Sequence, residues 1–209
     1  MDRDKIAHAM PVIRLEFEAL KDSLREGRLA AATSALFGSC LNWGEELRRI
    51  LAQEGRAALS ARDPLTRFFV TRTRGASEPA EIGQIPAAVR FLMAFTAFPY
   101  LDALMDEMSI GDHLGVDEDG NWLVGRVVAG LCDGSRIKVD KGLGGWRFDL
   151  MAIYQAKSQA LETFIGERFD NDFDAFLWRY VAEHDLAFDM DRAWRPLEER
   201  GNDHAHPRA

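Results

Sequence analysis

Cysteine is scarce in this chain, which has two residues of that type, Cys40 and Cys132, among 209. Two cysteines are too few for a disulfide framework, and their spacing matches neither a C-x-x-C motif nor a zinc site. Free cysteines usually behave as small buried apolar residues, so we expect two buried thiols. The sequence predicts no metal site and no bound cofactor.

An excess of basic residues is also missing. The chain has 26 Lys and Arg against 34 Asp and Glu, which gives a formal net charge of -8. Proteins that bind phosphate backbones or anionic membranes without sequence preference need clustered Lys and Arg. We therefore expect no nucleic-acid partner and no membrane partner.

Long apolar runs are absent as well. The longest apolar stretch, "AAVRFLMAFTAFPYL", contains Arg90 and Pro99 and is shorter than the roughly 20 residues that a membrane span needs. The opening "MDRDKIAHAM" carries acidic residues and lacks the apolar segment of a signal peptide. We expect a cytoplasmic protein.

What the sequence has in quantity is helical periodicity. Apolar residues recur at steps of three and four in the first half, and Asp63 before Pro64 is typical of a helix N-cap. The stretch after Pro86 is apolar nearly all round, so we expect it to be buried and to be bent or broken at Pro99. The predicted helices cover 11–26, 29–37, 42–55, a stretch beginning at Pro64 and the stretch from Pro86 to Met108, with a loop over 76–86.

Three turn signals then predict a four-stranded antiparallel meander. They are a three-residue loop ending at Gly120, a two-residue Asp133-Gly134 hairpin and a four-residue loop in "DKGLGGW". The predicted strands are 110–116, 122–131, 136–140 and 145–150. The resulting register places Val116 opposite Trp122, Leu114 opposite Val124, Asp112 opposite Arg126, Val128 opposite Val139, and Val139 opposite Trp146.

Strand alternation assigns these residues to two faces. The apolar face, which needs a cover of helices, carries Trp122, Trp146, Phe148 and also the charged residues Asp112 and Arg126, whereas His113 lies on the opposite face. Beyond the sheet, Asn171 or Asp172 is expected to cap a helix over 173–184, and a short helix follows around 189–200. The predicted fold is a single α+β domain over residues 5–200, with helices over 11–108, the sheet over 110–150, C-terminal helices over 151–200 and a disordered tail over 201–209.

Two segments carry a family resemblance. The strand "GGWRFDL" and the helical opening "FEALKDSLREGRLAAATSALF" are similar to segments of the NTF2-like, or cystatin-like, superfamily, and the resemblance extends over roughly Val12 to Leu150. It implies a pocket between a curved sheet and helices, or dimerisation through the sheet. Some members are isomerases, dehydratases or hydrolases, so the resemblance implies no particular reaction.

The pair Asp112 and Arg126 is the principal candidate for a site. A charged pair on an apolar face can hold the polar head of a ligand, with Trp122, Trp146 and Phe148 enclosing the rest, or it can be a structural salt bridge. The first hypothesis is thus a small, partly polar ligand in a cavity between the sheet and the helix from Pro86 to Met108. An enzyme that uses the Asp112 carboxylate for acid–base chemistry is a variant of it.

The alternative hypothesis is a non-enzymatic interaction protein. Its C-terminal helices would bind a protein partner or a second copy of the chain through an exposed apolar strip that includes Trp194. The sequence contains no H-E-x-x-H motif, no phosphate-binding loop and no nucleophile elbow. An enzyme is therefore the less favoured class, and no catalytic residue is assigned.

Overall fold

The computed structural model of the chain describes residues 3–76, 84–98 and 105–199. The chain divides into two compact units, each made of two separate stretches. The first unit comprises Met1–Leu41 and Phe98–Tyr154, and the second comprises Asn42–Ala97 and Gln155–Ala209. The single domain expected over residues 5–200 stays a prediction, and the expected disordered tail over 201–209 lies outside the described residues.

The fold is α+β, as predicted, with a four-stranded antiparallel sheet in the order β1-β2-β3-β4. The strands are β1 Met108–Val116, β2 Trp122–Val128, β3 Leu131–Gly142 and β4 Gly145–Phe148. The helices are α1 Arg3–Arg25, α2 Leu29–Ala32, α3 Gly38–Gln53, α4 Arg56–Ser60, α5 Pro64–Ala76, α6 Ala87–Phe95, α7 Met151–Phe169, α8 Phe173–Glu183 and α9 Met190–Trp194, with a 3-10 turn at Thr33–Ala35. None of the helices in the described ranges is both long enough and apolar enough to cross a membrane.

In the first unit, α1 packs against β1 and β4. Its buried residues Met10, Ile13, Phe17 and Leu20 follow the helical period, and the ring of Phe17 lies 5.2 Å from that of Phe148. The helix begins at Arg3 and not at residue 11 as predicted, so Pro11 lies inside it. Met10 extends the buried stripe toward the N-terminus, which favours the longer helix despite the hydrogen bond that a proline removes.

The first hairpin keeps its predicted end but not its register. Val116 lies opposite Trp122, and Gly120 has a φ of +81°, both as expected for the turn. Register shifts in β1 then place His113 opposite Val124 and Ile110 opposite Arg126. The predicted pairings of Leu114 with Val124 and of Asp112 with Arg126 are therefore wrong. The irregularity includes Gly115, whose φ of +140° only glycine adopts readily.

The second hairpin turns four residues earlier than predicted. Ala129 and Gly130, with φ of 49° and 79°, form a two-residue turn, and Val128 pairs with Leu131 and not with Val139. The Asp133-Gly134 dipeptide lies inside β3, where the register shifts opposite Arg126. An Asp-Gly pair fits a bulge as well as a hairpin, because both need a residue at positive φ.

The third hairpin has a two-residue loop and not the predicted four-residue loop. Gly142 pairs with Gly145, so Val139 lies opposite Phe148 and not opposite Trp146. A slip of two residues leaves each side chain on its predicted face. Val139, Trp146 and Phe148 are accordingly buried together, as expected.

The second unit confirms the predicted helix caps. Asp63 accepts a hydrogen bond from the Thr66 N–H at 3.0 Å at the start of α5, and Asp172 accepts one from Ala175 at the start of α8. The helix expected after Pro86 begins at Ala87, and the expected bend at Pro99 lies outside the described residues. The core of this unit is aromatic, with the Phe68 ring 4.8 Å from the Tyr180 ring.

Three buried cations in the second unit donate to backbone carbonyls. Arg74, fully buried in α5, donates to the carbonyls of Ile50, Leu51 and Glu54 at the end of α3. A helix leaves its last carbonyls without partners inside the helix. Arg74 supplies donors to two of these, Leu51 O and Glu54 O, and a second donor to Ile50 O, which also accepts from the Glu54 N–H at 3.1 Å. Lys157 and Arg90 are also buried, and they donate to Phe95 O and Gly44 O, each at 2.7 Å.

Candidate functional site

The two charged residues expected to form a site do not pair with each other. The Asp112 side chain is 93% exposed and forms an ion pair of 3.2 Å with Arg14 on α1. Arg126 is 12% exposed and pairs instead with Asp133, which lies in the bulge of β3, and it donates to Ser135 Oγ at 3.1 Å. The predicted Asp112–Arg126 pair is therefore not formed, and each residue belongs to a separate structural contact.

The bulges in β1 explain this separation. One extra residue in a strand reverses the faces of the residues beyond it. Asp112 therefore points to solvent, while His113 lies with its ring 4.9 Å from that of Trp122. The prediction that His113 lies on the face opposite Trp122 is wrong.

The three aromatic residues expected around a ligand do lie close together. The rings of Trp122 and Trp146 are 5.1 Å apart, and Phe148 is fully buried against Phe17. Trp146 and Phe148 are buried and Trp122 is partly exposed, so much of this surface is used in packing within the first unit. Their role in ligand binding stays a prediction.

A cavity of about 330 Å³ lies elsewhere in the first unit. It is open to solvent and bordered by α1, by the segment from α2 through the 3-10 turn, and by the start of β4. The wall expected from the sequence included residues 99–104, which lie outside the described residues. Among the described residues, the cavity is lined by Glu16, Ala19, Leu20, Ser23, Ala31, Ala32, Ser34, Ala35, Gly144 and Trp146.

Glu16 is the polar anchor of this cavity. Its Oε2 accepts a hydrogen bond of 2.6 Å from the backbone N–H of Trp146, which fixes the carboxylate against β4. Within the described ranges, Oε1 accepts no hydrogen bond and no Lys, Arg or His forms an ion pair with Glu16. One oxygen of the carboxylate is thus held by the protein, and the other can accept a hydrogen bond from a ligand.

Gly145 leaves the space that the Glu16 carboxylate needs to reach the Trp146 N–H. Its φ is +137°, and a Cβ atom at this position would lie 2.6 Å from Glu16 Oε2. Any other residue would meet both the strained backbone and the carboxylate. The second glycine of "GGWRFDL" therefore allows Glu16 to reach the Trp146 N–H.

The remaining walls are small and partly polar. Ala19, Ala31 and Ala35 leave the space open, and the hydroxyls of Ser23 and Ser34 donate to the helix carbonyls of Ala19 and Ala31 at 2.9 and 3.3 Å. A hydroxyl that donates to the backbone keeps its oxygen lone pairs for a further donor. The cavity therefore combines a carboxylate, hydroxyl oxygens and apolar surface.

The two cysteine thiols differ in their exposure to solvent. Cys40 is buried, as expected, and burial raises the pKa of its thiol to about 12, so it remains protonated and unreactive at neutral pH. Cys132 is exposed, contrary to the prediction, because it lies near the tip of the β2–β3 hairpin. In the part of the chain that the structure describes, no group of three His, Cys, Asp or Glu residues is placed to hold a metal ion.

Trp194, which was expected on an exposed apolar strip, is buried. Trp194 is 7% exposed, packs on Phe173 with ring centroids 6.0 Å apart and lies beneath the Arg56 guanidinium. Its polar sequence context suggested exposure, but Arg56 covers the ring through a cation–π contact. The exposed tryptophan of the C-terminal helices is Trp178 on α8, at 54%.

Sequence reasoning did not identify Glu16. On α1 it lies between the buried residues Ile13 and Phe17, where periodicity alone places it at the edge between the buried and the exposed face of the helix. A signal that could have pointed to it is the Gly144-Gly145 pair, since a glycine next to a strand can mark the close approach of another group, although it does not say which residue approaches.

Comparison with known proteins identified no relative of this chain. The chain matches no model of a protein family, no curated protein and no solved structure.

Proposed function

We propose that the first unit binds a small, partly polar molecule in the Glu16 cavity. The observation that carries the proposal is the Glu16 carboxylate, which is held by the Trp146 N–H through one oxygen and belongs to a residue that lines a space of about 330 Å³. Binding sites for small molecules are typically concave, mostly apolar and about 300–1,000 Å³ in volume, with few polar groups that fix orientation. The Glu16 cavity lies at the small end of this range.

The proposed ligand is of the class expected from the sequence, but a different residue binds its polar group. Glu16 replaces Asp112 and Arg126, both of which are occupied by other partners. Trp146 is common to both sites because it lines the cavity and lies against Trp122. A relationship to the NTF2-like superfamily stays a prediction.

Native mass spectrometry of the gently purified protein tests the proposal. We expect an added mass of a few hundred daltons that disappears on denaturation. Ala19→Phe, which fills the cavity from the exposed side of α1, should remove the added mass. Ala7→Phe is the matched control, since Ala7 is exposed on the same helix and does not line the cavity. A bare wild-type protein, or an added mass that Ala19→Phe retains, would contradict the proposal.

Interaction through the C-terminal helices is the second candidate function. The observation in its favour is Trp178, a large aromatic residue that is 54% exposed on α8. Sedimentation of the wild type and of Trp178→Ala over a range of concentrations tests for self-association. Identical monomer behaviour of both proteins would remove the homodimer from consideration.

A further inference from the structure

The described wall of the Glu16 cavity carries charge of one sign. Of the described side chains that line it, Glu16 alone is ionisable, and the others are Ala, Leu, Ser, Gly and Trp. No cation in the described ranges pairs with Glu16. The described lining thus presents one negative charge that forms no ion pair with a cation of the described chain.

The hydrogen bond from the Trp146 N–H fixes the orientation of the Glu16 carboxylate. The Trp146 N–H takes one lone pair of Oε2, and within the described ranges Oε1 accepts no hydrogen bond. A ligand that displaces water from Oε1 must replace the hydrogen bonds that water made, because a desolvated carboxylate without donors is costly. A positively charged N–H donor does this best, since hydrogen bonds between charged partners are roughly twice as strong as neutral ones.

We propose that the ligand of the Glu16 cavity is an organic cation, with a primary ammonium or guanidinium group donating to Glu16. This inference rests on the proposed function, because it names the class of molecule that the same cavity takes. The hydroxyl oxygens of Ser23 and Ser34 add acceptors, and these suit a head group that has several N–H donors. An anionic head group would meet the Glu16 carboxylate without a cation on the described wall to offset the repulsion.

The test is a fragment-binding experiment by NMR on the full-length, isotopically labelled protein. Equal sets of cationic, neutral and anionic fragments are titrated, and the amide signals of Gly144, Gly145 and Trp146 report binding at the cavity. We expect cationic fragments to bind most tightly. Raising the salt concentration should weaken their binding and leave that of neutral fragments unchanged.

Two variants assign the effect to Glu16. Glu16→Gln removes the charge but keeps a carbonyl oxygen that can accept the Trp146 N–H, so the fold around β4 has its hydrogen bond. It should weaken binding of the cationic fragments about tenfold or more. Glu118→Gln removes the same charge in the exposed β1–β2 turn, away from the cavity lining, and should leave the affinity unchanged.

The possible failures are distinct. If neutral or anionic fragments bind as tightly as cations, or if salt and Glu16→Gln leave cation binding unchanged, the inference is overturned and the proposed function stands. If no fragment of any charge shifts the three amide signals, the proposed function is overturned together with the inference.

Discussion

Arg74 in the second unit and Asp112 in the first unit are charged side chains with different roles. In the second unit, Arg74 is fully buried and donates to three carbonyls at the end of α3. In the first unit, Asp112 is 93% exposed and pairs with Arg14 beside a strand bulge. A buried cation that is removed leaves carbonyls that water cannot reach, whereas an exposed carboxylate that is removed leaves a hydrated partner. The effect of removing a charged side chain on stability therefore depends on whether its former hydrogen-bond partners are buried or hydrated.

The largest effect is expected for Arg74→Met. Methionine keeps the apolar stem but removes the side-chain donors to Leu51 O and Glu54 O and one of the two donors to Ile50 O. Buried unsatisfied acceptors are costly. We expect the free energy of unfolding to fall by about 3 kcal/mol or more, measured by urea denaturation. Arg48→Met, at an exposed position of α3, is the control and should unfold like the wild type. Equal losses for the two variants would remove the distinction between buried and exposed cations.

Gly145→Ala should have the next largest effect, this time in the first unit. The new Cβ would face a φ of +137° and the Glu16 carboxylate, so we expect a loss of about 1–3 kcal/mol. Gly144→Ala is the matched control, because a Cβ there meets nothing within 4 Å. If both variants unfold alike in urea, the close approach of Glu16 to β4 is incorrect.

Asp117 gives a smaller, pH-dependent effect. Hydrogen bonds from Lys138 and then from Asn121 hold the pKa of this carboxyl well below its ordinary value. Since the folded pKa is lower than the unfolded one, Asp117 stabilises the fold above about pH 4, and this contribution is lost as the pH falls further. Urea midpoints measured from pH 7 to pH 3 should fall less steeply for Asp117→Asn. Parallel pH curves for the variant and the wild type would contradict this.

Asp112→Ala should have the smallest effect. Its partner Arg14 also donates to the backbone carbonyls of Ile110 and Gly111, so the arginine keeps its place without the carboxylate. We expect a change in unfolding free energy within about 0.5 kcal/mol in urea denaturation. A loss as large as that of Arg74→Met would show that Asp112 has a role beyond an exposed ion pair.

The two units also differ in how far the sequence predicts them. The caps Asp63 and Asp172 lie next to the helices they begin, so local spacing identifies them. The sheet depends on the choice between two turn signals, Ala129-Gly130 and Asp133-Gly134, which stand four residues apart. Local propensity favours Asp-Gly at the turn, but in the structure the dipeptide lies in a bulge, where Asp133 pairs with Arg126 of the neighbouring strand and accepts from the Ser135 N–H of its own strand. A contact between strands decides the register, and single-sequence patterns do not contain it.

The site follows the same rule. The glycines of "GGWRFDL" were visible, and Trp146 was correctly placed on the buried face. Glu16 was not visible, because its partner lies 130 residues away in the chain. Helical periodicity predicts which side chains lie on the buried face of a helix, but it does not predict which strand those side chains contact.

The measurement that tests the account most directly is a crystal structure of the protein soaked with its tightest-binding cationic fragment. We predict the fragment in the Glu16 cavity, with its nitrogen within about 3 Å of Glu16 Oε1, as expected for a charge-assisted hydrogen bond. A fragment bound at another surface, with the Glu16 cavity filled by water, would contradict the account.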